Sequence, residues 1–334
     1  MTSPAFAEMA IHIRALQLSQ MLHVTAELGL ADRIGDAPRA AAELASECSA
    51  DREMLLRLLR ALASFGIFSL DAEDRVGHTE KSRFLRSDAV PTLHYAARYW
   101  GLPSTWAAWG QFEHTIRTGK PGFEQAFGMA NFDYLHAHAE EGDVFDAFMR
   151  HSPDDRHNAV ARAYTFAGTV VDVGGGNGGL LSAVLAAYGE ARGVLYDRAG
   201  VVAGAPDVLA GVSSRCQIVP GDFFESVPEG GDIYALSQIL HDWNDESCLR
   251  ILANCRKAMA GGTRLLIIER VLDEVAMRTP APILLGDLHM AVLFPGAKER
   301  SLSGFAALLA ATGFDRPRLI PTSSAFSVVE ARAI

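Results

Sequence analysis

From Thr169 to the end of the chain, short runs of Val, Ile and Leu alternate with longer stretches whose apolar residues recur at helical spacing. Strand candidates are Val170–Val173, Gly193–Tyr196, Gln217–Val219, Ile233–Leu236 and Leu265–Ile268, then Arg318–Ile320 and Ser327–Glu330. Helices fill the gaps, most clearly Asp245–Met259. This alternation predicts an α/β domain with a doubly wound, mostly parallel sheet covered on both faces. Everything ahead of residue 166 is helical in character instead. Ala5–Leu30 carries Ile11, Ala15, Leu18, Leu22 and Ala26 on one helical stripe. Ala40–Cys48 and Glu53–Phe65 predict two helices joined by a turn and cap at Ser49-Ala50-Asp51. Ile67–Leu70 and Arg75–His78 predict a small hairpin, which completes a winged-helix shape. Val90–Arg150 predicts several aromatic-rich helices, most of whose rings belong to a core; some are suited to a flat aromatic ligand.

The length of 334 residues agrees with two domains, expected at 1–165 and 166–334. A net charge of −10 argues against a general nucleic-acid binder. The second helix of the winged-helix pattern offers only Arg52, Arg57 and Arg60, set against Asp51 and Glu53, so a structural or dimerising role outweighs DNA reading. No apolar stretch approaches the roughly 20 residues that cross a bilayer. Met1–Arg14 includes Glu8 and His12 and lacks a signal-peptide layout, which points to the cytoplasm. Cys48, Cys216, Cys248 and Cys255 show no CxxC spacing and are expected to be reduced core thiols. His136 and His138 have no neighbouring ligand pattern and fit a surface helix; no metal is expected.

Chemistry concentrates after the first strand of the sheet, where Val170-Val171-Asp172-Val173 runs into Gly174-Gly175-Gly176-Asn177-Gly178-Gly179 and then a helical stretch from Leu180 to Tyr188. Strand, tight turn and helix make a nucleotide-binding corner. The glycines match a dinucleotide fingerprint, but Asp172 beneath the loop suits a cation better than a pyrophosphate. Ligands of such sheets bind outside the carboxyl ends of the strands. There the sequence puts Asp197, suited to ribose hydroxyls, and Gly221-Asp222-Phe223, suited to an adenine amine and an adenine face. Ser237 and His241-Asp242-Trp243 follow the fourth strand, and Glu269 follows the fifth. S-adenosylmethionine, with its sulfonium, ammonium and adenine amine, fits such a rim. His241 is the candidate base, since an imidazole accepts a proton near neutral pH. Glu269 is its candidate orienting partner, with Glu299 a second carboxylate and helix capping the competing role for His241.

Val171–Gly178, Gly221-Asp222-Phe223-Phe224, Leu240-His241-Asp242-Trp243 and Gly296-Ala297-Lys298-Glu299-Arg300-Ser301 stand in an order and spacing that resemble the class I S-adenosylmethionine-dependent O-methyltransferases. These are the plant caffeate/isoflavone type, and their bacterial relatives in polyketide and aromatic antibiotic biosynthesis resemble the chain more closely still. The resemblance spans nearly the whole chain. It implies a Rossmann-like methyltransferase fold behind a winged-helix-like dimerisation and substrate-lid domain, and a homodimer. It implies His241 as catalytic base flanked by Glu269 and Glu299. Gly174, Gly175, Gly176, Asp197, Gly221, Asp222, Phe223 and Ser237 become cofactor contacts. Met149, Met290 and Phe294 fall where the family lines its acceptor pocket. Departures occur at Asp197-Arg198-Ala199, where the family has Asp-Leu-Pro, at Ser237, where plant members carry lysine, and at Phe294, where they carry asparagine.

The expected reaction is therefore methyl transfer to a hydroxyl of an aromatic or polyketide-type molecule, without a metal. The rivals are a relative that uses the cofactor without methyl transfer, a DNA-binding regulator and a nicotinamide enzyme.

Overall fold

A computed structural model describes residues 3–151, 155–275 and 278–334; Met1 and Thr2 of the N-terminal segment lie outside the described residues. The chain packs as two units, 1–107 with 132–153, and 108–131 with 154–334. The sheet begins where the sequence places the start of its second domain, but 108–131 and the helix Arg156–Ala163 pack with the sheet unit.

In the first unit, β1 (Arg39–Ala40), β2 (Phe68–Leu70) and β3 (Arg75–His78) form an antiparallel sheet in the order β1-β3-β2. The expected hairpin is β2–β3. The two residues of β1 carry no periodic signal, so the third strand was not foreseeable. The helix Arg52–Ser64 starts at Asp51, whose side chain accepts from the Met54 N–H at 2.9 Å. It buries Leu55, Leu59 and Leu62 against Leu30, Leu44, Phe68 and Val76. Its apolar stripe at i, i+4 and i+7 is what amphipathic periodicity demands. The first two helices, Pro4–Ile13 and Ala15–Glu27, leave Phe6, Met9, Ile13 and Leu16 exposed.

The second unit is built on seven strands. β4 (Thr169–Val173), β5 (Arg192–Asp197), β6 (Cys216–Pro220), β7 (Ile233–Ser237) and β8 (Arg264–Glu269) run parallel. β9 (Val271–Leu272) and β10 (Arg300–Ser301) form a separate two-residue parallel ladder. β11 (Arg318–Pro321) and β12 (Ser327–Arg332) complete the main sheet, in which β12 runs antiparallel to β8 and to β11. The order is β11-β12-β8-β7-β4-β5-β6. All seven expected strands form. They were legible because strands covered on both faces read as unbroken apolar runs. One face packs Val171, Val173, Tyr234 and Ile267 against Ile251, Leu252 and Phe305. The other packs Val170, Leu195, Ile268 and Val328 against Val160, Leu181 and Leu185. β4 has β5 on one side and β7 on the other, so the winding direction reverses at β4. A crevice opens outside the carboxyl ends at such a reversal.

Candidate active site

The glycine loop occupies that crevice. Its backbone is tied to β5, with the Gly174 N–H donating to the Tyr196 carbonyl at 2.7 Å and the Gly176 N–H to Asp197 Oδ2 at 2.9 Å. Gly176 has φ +60°, and a side chain there would point into open space. The left-handed turn selects glycine there and leaves room above the loop. A Cβ at Gly174 would meet Ile239 Cδ1 at 2.4 Å and the Phe223 ring at 3.3 Å. The loop therefore touches both the ring proposed for adenine and the turn that leads to His241.

Asp197, Gly221, Asp222, Phe223 and Ser237 all stand at the carboxyl ends of β5, β6 and β7. Asp222 is exposed and accepts from the Phe224 N–H at 2.8 Å. Gly221 has a second reason to be glycine, since a Cβ would fall 2.3 Å from the Tyr196 ring. Gln238 follows β7 with φ +55°, a left-handed conformation costly for a residue with a side chain. Its Oε1 accepts from buried Arg156 at 3.3 Å. Sequence patterning carries no signal for either residue.

His241 is buried in a 3₁₀ turn, Leu240–Asp242. Its Nδ1 lies 3.2 Å from Glu299 Oε1 and 3.7 Å from Glu269 Oε2. A carboxylate only accepts, so Nδ1 carries the hydrogen toward Glu299. Nδ1 thus donates to Glu299 rather than to Glu269, the partner expected. Glu269 Oε1 instead accepts from the backbone N–H groups of Ile239, Leu240 and His241 at 3.0, 3.0 and 3.4 Å. Asp242 Oδ1 stands 3.3 Å from His241 Nε2, the face from which a base would act. Asp242 belongs to the recognised motif, but its place at Nε2 was not foreseen.

Burial disfavours charge on His241, but Glu269, Asp242 and Glu299 outweigh it and raise the imidazole to about 10. Burial pushes the Glu269 carboxyl up to about 7, with the imidazole pulling the other way. The cluster therefore holds a proton at neutral pH. Its geometry is fixed from two sides. Buried Arg300 donates to the Leu240 carbonyl at 2.7 Å and the Trp243 carbonyl at 2.9 Å, and the Lys298 N–H donates to the His241 carbonyl at 3.0 Å. His241, Glu269 and Glu299 also present atoms within 4.8 Å of one another, a spacing that a cation could span.

Met290 lies on the helix Ala281–Leu293 and Phe294 caps it. On the same helix, buried His289 accepts from the Trp109 indole N–H at 3.1 Å, and burial lowers its imidazole to about 3, so it is neutral at physiological pH. Met149 is exposed on the helix Ala139–Arg150, in the first unit. His136 and His138 are exposed on and after the helix Asn131–Ala137 of that unit.

Residues 109–315 match the O-methyltransferase domain family, and residues 11–88 match the O-methyltransferase dimerisation domain. The chain is 42% identical to a phenazine O-methyltransferase of Lysobacter antibioticus, over 95% of this chain and 93% of the relative. It is 38% identical to a mitomycin biosynthesis 6-O-methyltransferase of Streptomyces lavendulae, over 91% of this chain and 87% of that one. The solved structure of a mitomycin 7-O-methyltransferase superposes with a TM-score of 0.92 at 36% identity, covering 99% of this chain and 98% of its own. N-methyltransferases also stand among the relatives, at 36% and 33% identity. With the sheet order, the glycine corner and the His241 cluster in place, the chain belongs to the S-adenosylmethionine-dependent O-methyltransferase family, alongside bacterial enzymes of antibiotic biosynthesis.

Proposed function

We propose that the protein transfers the methyl group of S-adenosylmethionine to a hydroxyl of an aromatic or polyketide-type small molecule, with His241 as general base. The observation that carries this reading is a buried imidazole hydrogen-bonded to Glu299, two residues from Ile239, which packs on the glycine loop. In its free-base form that imidazole is a proton acceptor close to the loop on which the donor would lie.

The residues present fit the donor. The space above Gly176 admits a ligand, and Asp172 beneath the loop is a buried carboxylate with no hydrogen-bond donor, suited to a cationic ligand. Asp197 is positioned for the ribose, Asp222 and Phe223 for the adenine, and Gly174, Gly175, Gly176, Gly221 and Ser237 for the amino-acid end and the loop backbone. When bound, S-adenosylmethionine supplies a methyl group already activated by its sulfonium, so the chain's task is alignment and proton removal. His241 Nε2 takes the hydroxyl proton. Glu299 fixes the ring through Nδ1, and Glu269 stabilises the imidazolium. Met290 and Phe294 line the acceptor site in this reading. A homodimer is supported by the match to the dimerisation domain and by the apolar side chains left exposed on the first two helices.

The test is incubation of the protein and S-adenosylmethionine, with a chelator present, against a panel of phenols, hydroxynaphthoates and hydroxyphenazines. A methyl ether and S-adenosylhomocysteine in equal amounts are expected. Consumption of an acceptor without S-adenosylhomocysteine indicates the non-methylating use of the cofactor, and an N-methyl product indicates an amine acceptor.

A pH prediction follows from the cluster. His241 is raised above its ordinary value, so its free-base fraction, and with it the rate, climbs as pH rises. Removing the hydrogen-bonded carboxylate in Glu299→Gln weakens that hold on the proton. The rising limb of kcat/KM is expected to move to lower pH by roughly one pH unit, with a lower plateau. The acceptor's own ionisation is common to both proteins and cancels in the comparison.

A further inference from the structure

Asp172 is a buried acid whose carboxyl oxygens have no hydrogen-bond partner. It lies in β4, is fully shielded from solvent, and neither of its carboxylate oxygens meets a hydrogen-bond donor. Such a group is costly, because ionised carboxylates in protein interiors are normally paired or hydrogen-bonded. The glycine loop passes directly above it, since a Cβ at Gly175 would come within 2.6 Å of the carboxylate. Its register neighbours, Leu195 in β5 and Ala235 in β7, are apolar.

The titratable groups acting on it are themselves acids, Asp197 at the end of β5 and Cys216 at the start of β6. Neither β7 nor the helix Gly179–Ala187 carries a charged side chain. His157, from the helix Arg156–Ala163, reaches the loop at Gly179. Burial first, and the Asp197 charge second, push the Asp172 carboxyl up to about 7.

We propose that Asp172 is the charge-selecting residue of the methyl-donor site: protonated beneath the loop in the free enzyme, it gives up its proton when a cation settles over Gly174-Gly175-Gly176, and so holds the sulfonium donor more tightly than the thioether product. The proposal rests on the reading of this loop as the S-adenosylmethionine site. The donor carries a net positive charge and the product none. In a low-dielectric site an opposite charge favours the ionised acid. By linkage, a ligand that prefers ionised Asp172 must release a proton to solvent on binding, and its affinity must rise with pH. Once the methyl group has left and the sulfonium charge with it, Asp172 takes a proton back and its hold on the product weakens. The hydroxyl proton of the acceptor passes separately to His241, so each turnover releases one proton overall.

The experiment is calorimetric titration of the full chain with S-adenosylmethionine and with S-adenosylhomocysteine, in buffers of low and high ionisation enthalpy, for the wild type and Asp172→Asn. Near pH 7 the wild type should release a substantial fraction of one proton to the donor and much less to the product. Asp172→Asn should release none from this source, and its preference for donor over product should fall about tenfold. The same proton count in both proteins overturns the inference, as does an equal loss of affinity for both ligands, which a merely structural role would produce. If the wild type does not bind S-adenosylmethionine, the cofactor reading falls too. If it binds without proton release, the cofactor reading stands and this inference fails.

Melting of the unliganded proteins gives a second readout. Asp172 is raised above its unfolded value of about 3.9, so its contribution to stability is full at low pH and is lost as pH rises to about 7. Asp172→Asn lacks that loss. Its melting temperature should therefore exceed the wild type's at pH 8 and approach it at pH 5; identical pH dependences overturn the inference.

Discussion

His241→Gln lowers methyl transfer by roughly 10²–10⁴-fold, the range that general bases contribute, with donor affinity essentially unchanged. Glutamine fills a similar volume and still offers polar atoms, but it cannot accept a proton. The ring stands 3.2 Å from Glu299, and its backbone belongs to a turn held by Arg300 and Lys298, so the surrounding chain has no reason to move. The loss should therefore appear in kcat, with calorimetric affinity for S-adenosylmethionine and the melting temperature close to wild type. An acceptor whose hydroxyl is already ionised at the assay pH should lose much less, because its proton is gone before binding. Wild-type turnover by the variant with a neutral phenol removes His241 from the role of base.

Glu269 gives the second large effect, and two substitutions divide it. One oxygen of its fully buried carboxylate serves the N–H groups of Ile239, Leu240 and His241, and the other lies 3.7 Å from His241 Nδ1. Glu269→Ala strands all of these donors in the interior. At about 1–3 kcal/mol for each buried group left unmade, the three N–H groups together imply a loss of roughly 3–9 kcal/mol of stability, read by chemical denaturation. Glu269→Gln keeps an acceptor oxygen and should stay within about 1.5 kcal/mol of wild type. It removes the carboxylate that does most to hold a proton on His241. The rising limb of its pH–rate profile should shift to lower pH, while its plateau falls because the imidazolium formed during transfer loses a stabilising charge. Equal stability of the Ala and Gln variants contradicts the capping role; an unmoved limb in Glu269→Gln contradicts the electrostatic one.

The division of labour between the two glutamates marks the boundary of what the amino-acid sequence discloses here. The strands, the glycine corner and the identity of the cluster were legible because each has a local signature: unbroken Val/Ile/Leu runs, a glycine turn before a helix, and polar residues just past strand ends. Which carboxylate faces which nitrogen has no such signature. It follows from the left-handed turn at Gln238, after which three successive N–H groups converge on Glu269 Oε1. Gly221 illustrates the same limit. It reads as a cofactor contact, yet the Tyr196 ring alone is enough to exclude a side chain there. The carboxylate of Asp172 could be placed beneath the loop from its position, but its lack of any donor is a property of three strands packed together. Two-residue strands such as β1, β9 and β10 are too short for a pattern.

The β9–β10 ladder has a consequence for how such enzymes diversify. It pairs Arg300 with Val271 and Ser301 with Leu272, immediately beside Glu299 on one strand and two residues from Glu269 on the other. The chain between them, which includes the helix Ala281–Leu293 with Met290 and leads into Phe294, leaves and returns at adjacent points. It is a closed excursion anchored at both feet. The excursion is also tied back to the cluster between its feet, since Asp287 on its helix accepts from the Glu299 N–H at 2.8 Å. A segment exchanged between relatives must therefore keep Asp287, which ties the helix Ala281–Leu293 to one of the two acids, if the proton chemistry is to stay in register.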